Sequence, residues 1–93
     1  MQIEWDALAI RDLQDIRAFI AADKPDAAFR VAERIKNSVQ RLGEFPFLGT
    51  QTIYPGIRAL SVAGLPYVVY YHVKPDTVLI LAIIHGARRR FSD

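Results

Sequence analysis

The residues of this chain best suited to chemistry stand together near its end, where His85-Gly86-Ala87 leads into Arg88-Arg89-Arg90. A guanidinium presents a rigid fork of donors that matches carboxylates and phosphates, so a cluster of them at the exit of a strand can hold an anion. Arg58, on an earlier segment, can be brought to the same end of a sheet. With Tyr67 and His85 it would complete a set able to bind phosphate or an acidic protein surface. The plainer reading of the arginine triplet is a C-terminal tail whose charges are simply solvated.

Other chemistry is poorly served. His72 and His85 lie on different segments without a carboxylate cluster, and no His-Glu-x-x-His occurs, so neither a metal nor another cofactor is expected. No Gly-rich phosphate loop follows a strand, and no Gly-x-Ser-x-Gly elbow is present. Asp12 and Asp15 read as a solvated helix face balanced by Arg11 and Arg17. The absence of cysteine removes disulfides, thiolate catalysis and Cys-based zinc sites.

These groups must be positioned by a single domain, residues 1–93, of which 52% is apolar and 24% charged, a balance that excludes disorder. No apolar run approaches the roughly 18 residues of a membrane span, and no secretory leader precedes the first patterned segment, so a cytoplasmic location with no membrane contact is expected. The net charge of +2 hides an asymmetry. Residues 1–46 carry seven basic and eight acidic side chains, whereas residues 47–93 carry five basic side chains against Asp76 and Asp93 alone. Any attraction for anions lies in the second half.

Gln2-Ile3-Glu4-Trp5 alternates as a short strand, and Asp6 is placed to cap a helix whose apolar stripe is Ile10, Leu13, Ile16 and Ile20. Pro25 suits the first turn of a second helix with a stripe of Ala28, Val31, Ala32, Ile35, Val39 and Leu42, and Gly43 is placed to end it in the left-handed conformation. Residues 44–56 have no period and read as a loop pinned to the body. Three strands follow, Ile57 to Val62, Pro66 to Val73 and Thr77 to His85, joined by tight turns. The expected fold is α+β: an antiparallel sheet, made of the N-terminal strand plus a C-terminal three-stranded meander, packed on an antiparallel two-helix hairpin.

The last two strands have no solvated face. Tyr67, Val69, Tyr71 and Val73 alternate with Val68, Tyr70 and His72, while Leu79, Leu81 and Ile83 alternate with Val78, Ile80, Ala82 and Ile84. A helical hairpin covers one face only. Either the sheet curves and the Phe45-Phe47-Leu48 loop folds under the open face, or a partner chain completes the core. Phe29, off the stripe of its helix, is a candidate anchor for such a partner.

An ordered set of short motifs carries a family likeness: Asp12-Leu13-Gln14-Asp15-Ile16, Pro25-Asp26-Ala27-Ala28, Leu42-Gly43-Glu44-Phe45-Pro46-Phe47-Leu48-Gly49, Gly56-Ile57-Arg58-Ala59-Leu60, Pro66-Tyr67-Val68-Val69-Tyr70-Tyr71 and His85-Gly86-Ala87-Arg88. From about residue 3 to residue 90 the chain resembles the RelE/ParE superfamily of bacterial toxins. The resemblance implies a cognate antitoxin encoded beside it, part of which folds against the toxin, with Phe29, Ile20 and Leu81 as expected contacts. It implies contact with promoter DNA only indirectly, through the antitoxin.

Two branches follow from the resemblance. RelE-like members cut messenger RNA on the ribosome without a metal; here that would rest on Arg58, Tyr67, His85 and Arg88. ParE-like members inhibit DNA gyrase by protein contact, which would rest on Arg88, Arg89 and Arg90 with Arg58. This sequence has one cation, Arg58, followed on its face by Leu60, where RelE-like enzymes carry a lysine pair, and Tyr67 where they place an arginine. Fewer cations mean less stabilisation of a phosphorane. The expectation is therefore a ParE-like toxin without catalysis, with a ribosome-dependent mRNA endonuclease as the alternative and a non-toxic binding module as a third class.

Overall fold

A computed structural model describes residues 1–86. Its elements are β1 (Gln2–Trp5), α1 (Ala7–Ala21), α2 (Pro25–Arg41), β2 (Thr50–Gln51), β3 (Ile57–Ser61), β4 (Tyr67–Val73) and β5 (Thr77–His85). The five strands form one sheet in the order β1-β5-β4-β3-β2, and the α1–α2 hairpin lies on one face. The α+β class expected from the sequence is the class observed. Arg88, Arg89 and Arg90 lie outside the described residues.

Two features of the sheet differ from the sequence reading. Thr50–Gln51 pairs with Ala59 and Arg58, adding a two-residue edge strand inside the segment read as loop. That strand adds one reversal of chain direction between the N terminus and the end. β1 accordingly joins β5 in parallel, and only the remaining pairs are antiparallel.

The second difference is a register shift between Tyr70 and Tyr71. Tyr70 pairs with Ala82 and Tyr71 with Ile80, leaving Leu81 as the extra residue of a β-bulge. Strict alternation would put Val78, Ile80, Ala82 and Ile84 on one face. The bulge instead sends Val78, Ile80 and Ile83 to the helix side with Val69 and Tyr71, and sends Ala82 and Ile84 to the reverse with Val68 and Tyr70. Both faces of β4 and β5 are apolar, as their composition required.

The helices divide their work unequally. Asp6 caps α1 by accepting the Leu8 N–H at 2.9 Å. On α2 the expected stripe is buried at Ala28, Ala32, Ile35, Val39 and Leu42, with Val31 packed beside it. On α1 only Ala9 is fully buried; Leu13 and Ile16 are half-buried against the core, while Leu8, Ile10 and Phe19 are exposed. Arg34 reaches from α2 to donate to the Ala63 carbonyl in the β3–β4 turn, where Gly64 has a φ of +75°. Gly43 does not take the left-handed conformation. Instead α2 ends in bonds from Leu42, Gly43 and Glu44 to carbonyls three residues back, and the Gly43 carbonyl accepts the Met1 ammonium at 2.8 Å. A Cβ on Gly43 would stand 3.1 Å from the Met1 carbonyl oxygen, so close approach is what this glycine permits.

The loop before β2 is fastened by its glycine. The Gly49 N–H donates to the Tyr71 hydroxyl at 2.8 Å, the Gly49 carbonyl accepts from Arg58 Nη1 at 2.7 Å, and the Arg58 guanidinium stands 4.9 Å over the Phe47 ring. A Cβ on Gly49 would lie 2.7 Å from the Tyr71 oxygen and 2.8 Å from the Ala59 carbonyl oxygen, leaving room for nothing larger. Phe45, Phe47 and Leu48 remain exposed, so they do not fold under the sheet.

Burial pushes the Tyr71 phenol above its ordinary value, opposed by the Gly49 N–H and by Arg58. An unfolded phenol ionises near pH 10. The stability that Tyr71 contributes is therefore complete below about pH 10 and is lost as pH rises through the higher folded value. Tyr71→Phe strands the buried Gly49 N–H and is expected to cost about 1–3 kcal/mol in urea unfolding at pH 8. That gap should narrow above about pH 10; a gap that persists unchanged would contradict the assignment.

Candidate functional site

β4 begins at Tyr67 and β5 ends at His85 at the same end of the sheet. Tyr67 pairs with His85, and the two rings meet edge to face with centroids 5.7 Å apart and an interplanar angle of 83°. The strand exit is held by the Gly86 N–H, which donates to the Pro66 carbonyl at 2.6 Å. Arg88 follows two residues later in sequence.

Beside this pair, between α1 and the end of β5, is a hollow of about 560 Å³ lined by Asp12, Asp15, Ile16, Phe19, Tyr67, Ile83, Ile84 and His85. Asp12, read from the sequence as solvated, is part of the architecture. β1 ends at Trp5 opposite Ile80, leaving the later part of β5 without a strand neighbour on that side. There Asp12 Oδ2 accepts the Ile83 N–H at 2.9 Å. Helix periodicity gave no sign of this. The usable signal was length, since a four-residue first strand cannot cover a nine-residue last one.

Arg58 is elsewhere. It pairs with Tyr71, four residues along β4 from Tyr67, which corresponds to about 13 Å of strand. Its guanidinium is committed to the Gly49 carbonyl and the Phe47 ring. Tyr67 and His85 are thus brought together, and Arg58 is not brought to them. Among the described residues no group of three or more His, Cys, Asp or Glu side chains could hold a metal ion.

Around Arg58 a smaller hollow of about 250 Å³ is lined by Phe47, Thr52, Tyr54, Gly56, Ile57 and Val73, among others. Phe45, Leu48 and Ile53 are exposed nearby in sequence, so the loop that the sequence reading expected under the sheet presents apolar side chains at this end.

Of the residues expected to meet a partner, Phe29 is 62% exposed and lines a third hollow with Arg17, Ala18, Ala21 and Pro25. Ile20 is half-buried at the end of α1, and Leu81 is the half-buried residue of the bulge. Phe19, on α1, is 80% exposed. No described helix is long and apolar enough to cross a membrane.

Comparison with known proteins places this architecture. The profile of the ParE toxin of type II toxin-antitoxin systems, parDE, matches residues 3–90. Toxin Y4kP of Sinorhizobium fredii is 39% identical over 85 residues, covering 91% of this chain and 88% of that protein. Toxin RelE2 of Caulobacter vibrioides is 38% identical over 87 residues, covering 94% of this chain and 97% of that one. A solved chain of the chromosomal ParDE system of P. aeruginosa superposes with a TM-score of 0.83 at 25% identity, covering 91% of this chain and 95% of that one. The chain belongs to the ParE toxin family of type II toxin–antitoxin systems, within the RelE/ParE superfamily.

Proposed function

We propose that this chain is a cytoplasmic toxin that inhibits DNA gyrase by protein contact and is neutralised by a cognate antitoxin. The observation that carries the reading is the commitment of Arg58. Cleavage of a ribose–phosphate bond needs cations placed where charge develops in the transition state. Here the cation of the first meander strand holds a loop about 13 Å of strand away from Tyr67 and His85. A contact surface has no such requirement. Arg88, Arg89 and Arg90 supply its charge, and Arg58 enters only through the loop that it fastens. The match to a ParE profile and the likeness to a ParDE chain support the same branch.

The antitoxin would complete the surface that the fold leaves open. α1 exposes Leu8, Ile10 and Phe19, α2 exposes Phe29, and Ile20 and Leu81 lie half-buried at the margins. A segment that orders on this surface offsets its entropy with a large apolar interface. Promoter contact would come through the antitoxin alone.

One observation favours the alternative, ribosome-dependent cleavage of messenger RNA. The Tyr67–His85 pair places a phenol and an imidazole together at the sheet end, and two of the relatives carry RelE names. Inducing the chain alone in a bacterial host, with DNA and protein synthesis followed separately, distinguishes the two. The expected result is early loss of DNA synthesis with filamentation, followed only later by loss of translation. Immediate translational arrest with cut messages would overturn it in favour of the alternative, and normal growth would remove both.

Arg88→Ala should weaken the gyrase contact by about 2 kcal/mol, roughly thirtyfold, while leaving the melting temperature unchanged. A variant that remains fully toxic would take Arg88 out of the contact.

A further inference from the structure

We infer that the outward face of α2 binds the phosphate backbone of duplex DNA through Arg30, Arg34 and Arg41, without reading its sequence. The inference rests on the gyrase reading above only for the choice of DNA over RNA, and recognition of a promoter sequence stays with the antitoxin.

The periodicity of the helix defines the face. At 3.6 residues per turn Arg30, Arg34, Asn37 and Arg41 fall within a sector of about 60° and extend over roughly 16 Å of helix, on the side opposite the buried Ala28, Ala32, Ile35 and Val39. All four are exposed. Over that length one strand of a DNA duplex carries about five phosphates.

No carboxylate neutralises this row. The ion pair found among the described residues, Lys36–Glu33 at 2.8 Å, lies on its flank, and Arg30 and Arg41 form none. Asp26 in the first turn and Arg41 in the last each suit the helix dipole. The dipole does not call for Arg30 and Arg34, which repel each other at i and i+4. Arg34 gives one of its donors to the Ala63 carbonyl and stays exposed, so its charge is held at the surface beside the β3–β4 turn. α1 is composed differently, with Asp12 and Asp15 set between Arg11 and Arg17.

The makeup of the face selects a nucleic acid over a protein. The centre of a protein interface needs apolar or aromatic anchors, and this sector has none. The exposed aromatic of the helix, Phe29, belongs to the hollow shared with α1. What the sector offers is guanidiniums and an amide, which match phosphate oxygens. Contacts of that kind fix position and supply affinity but carry no sequence information.

The test uses the full chain freed of antitoxin and a short labelled DNA duplex of arbitrary sequence, with binding followed by fluorescence anisotropy as salt rises from about 50 to 200 mM. The parent protein carries Arg88→Ala, Arg89→Ala and Arg90→Ala, so that the C-terminal arginines cannot supply the contact. Its log affinity against log salt should have a slope near −3, roughly −0.9 for each phosphate neutralised. Arg30→Gln with Arg41→Gln removes two side chains that make no bond within the described fold, and a melting curve checks that the fold is kept. The pair should take about 2 off the magnitude of the slope and weaken binding equally on duplexes of different sequence.

A slope that the double variant leaves unchanged overturns the inference, as does a parent that does not bind the duplex. So does tighter binding to an RNA duplex of the same length, or displacement of the DNA by polyglutamate at equal charge, which would make an acidic protein the occupant. If the chain binds DNA as expected while gyrase keeps full activity, the gyrase reading falls and the phosphate contact stands.

Discussion

β5 is the constraint on which the rest of the molecule depends. It bonds to β1 on one edge and β4 on the other, and it is apolar on both faces, so the chain must bury it from two sides. One helical hairpin can cover only one of them. The bulge at Leu81 eases the problem by turning Ile83 toward the helices and leaving the smaller Ala82, with Ile84, to the reverse. β1 is too short to finish the edge, and a carboxylate from α1 takes over where it stops. The position of α1 and the mouth of the hollow both follow from how this strand is accommodated.

The two helices pay unequally for that accommodation. α2 buries a full stripe and behaves as a core helix, whereas α1 lies over β5 with one fully buried residue, Ala9, and leaves Leu8, Ile10 and Phe19 exposed. A helix held this way contributes less to the stability of the isolated domain than its composition would allow. It also keeps apolar surface at hand for a partner. At the opposite end of the sheet, Arg58 follows the reverse logic: the cation that a nucleic-acid enzyme would keep available is bound to a backbone carbonyl and an aromatic ring.

Much of the fold was legible because most elements obey a clear period. The α2 stripe, the Asp6 cap, the Pro25 start and the two turns of the meander were each carried by residues whose local physics points one way. What was not legible has particular causes. β2 is two residues long inside a segment rich in Gly and Pro, and the direction of β1 depended on it. A bulge leaves no periodic trace in a strand that is apolar at every position, as β5 is from Val78 to Ile84. Gly43 suggested a left-handed cap, yet its φ is not positive and what it permits is the close approach of Met1.

The candidate site divides in the same manner. Tyr67 and His85 share the end of the sheet because the meander register pairs them. Arg58 was identifiable as a cation, but its bond to Gly49, nine residues earlier and across a loop, was not. Asp12 was hidden by its neighbours Arg11 and Arg17, which made it look like ordinary surface. Family membership rests on the whole ordered chain, whereas the choice of target rests on where a few cations are.

That choice is tested most directly with purified components. The chain, freed of antitoxin, is added in parallel to gyrase with relaxed DNA and ATP, and to translating ribosomes with a defined message. The account predicts loss of supercoiling, with protein-linked DNA breaks, while the message stays intact. A message cut on the ribosome beside fully active gyrase would contradict it.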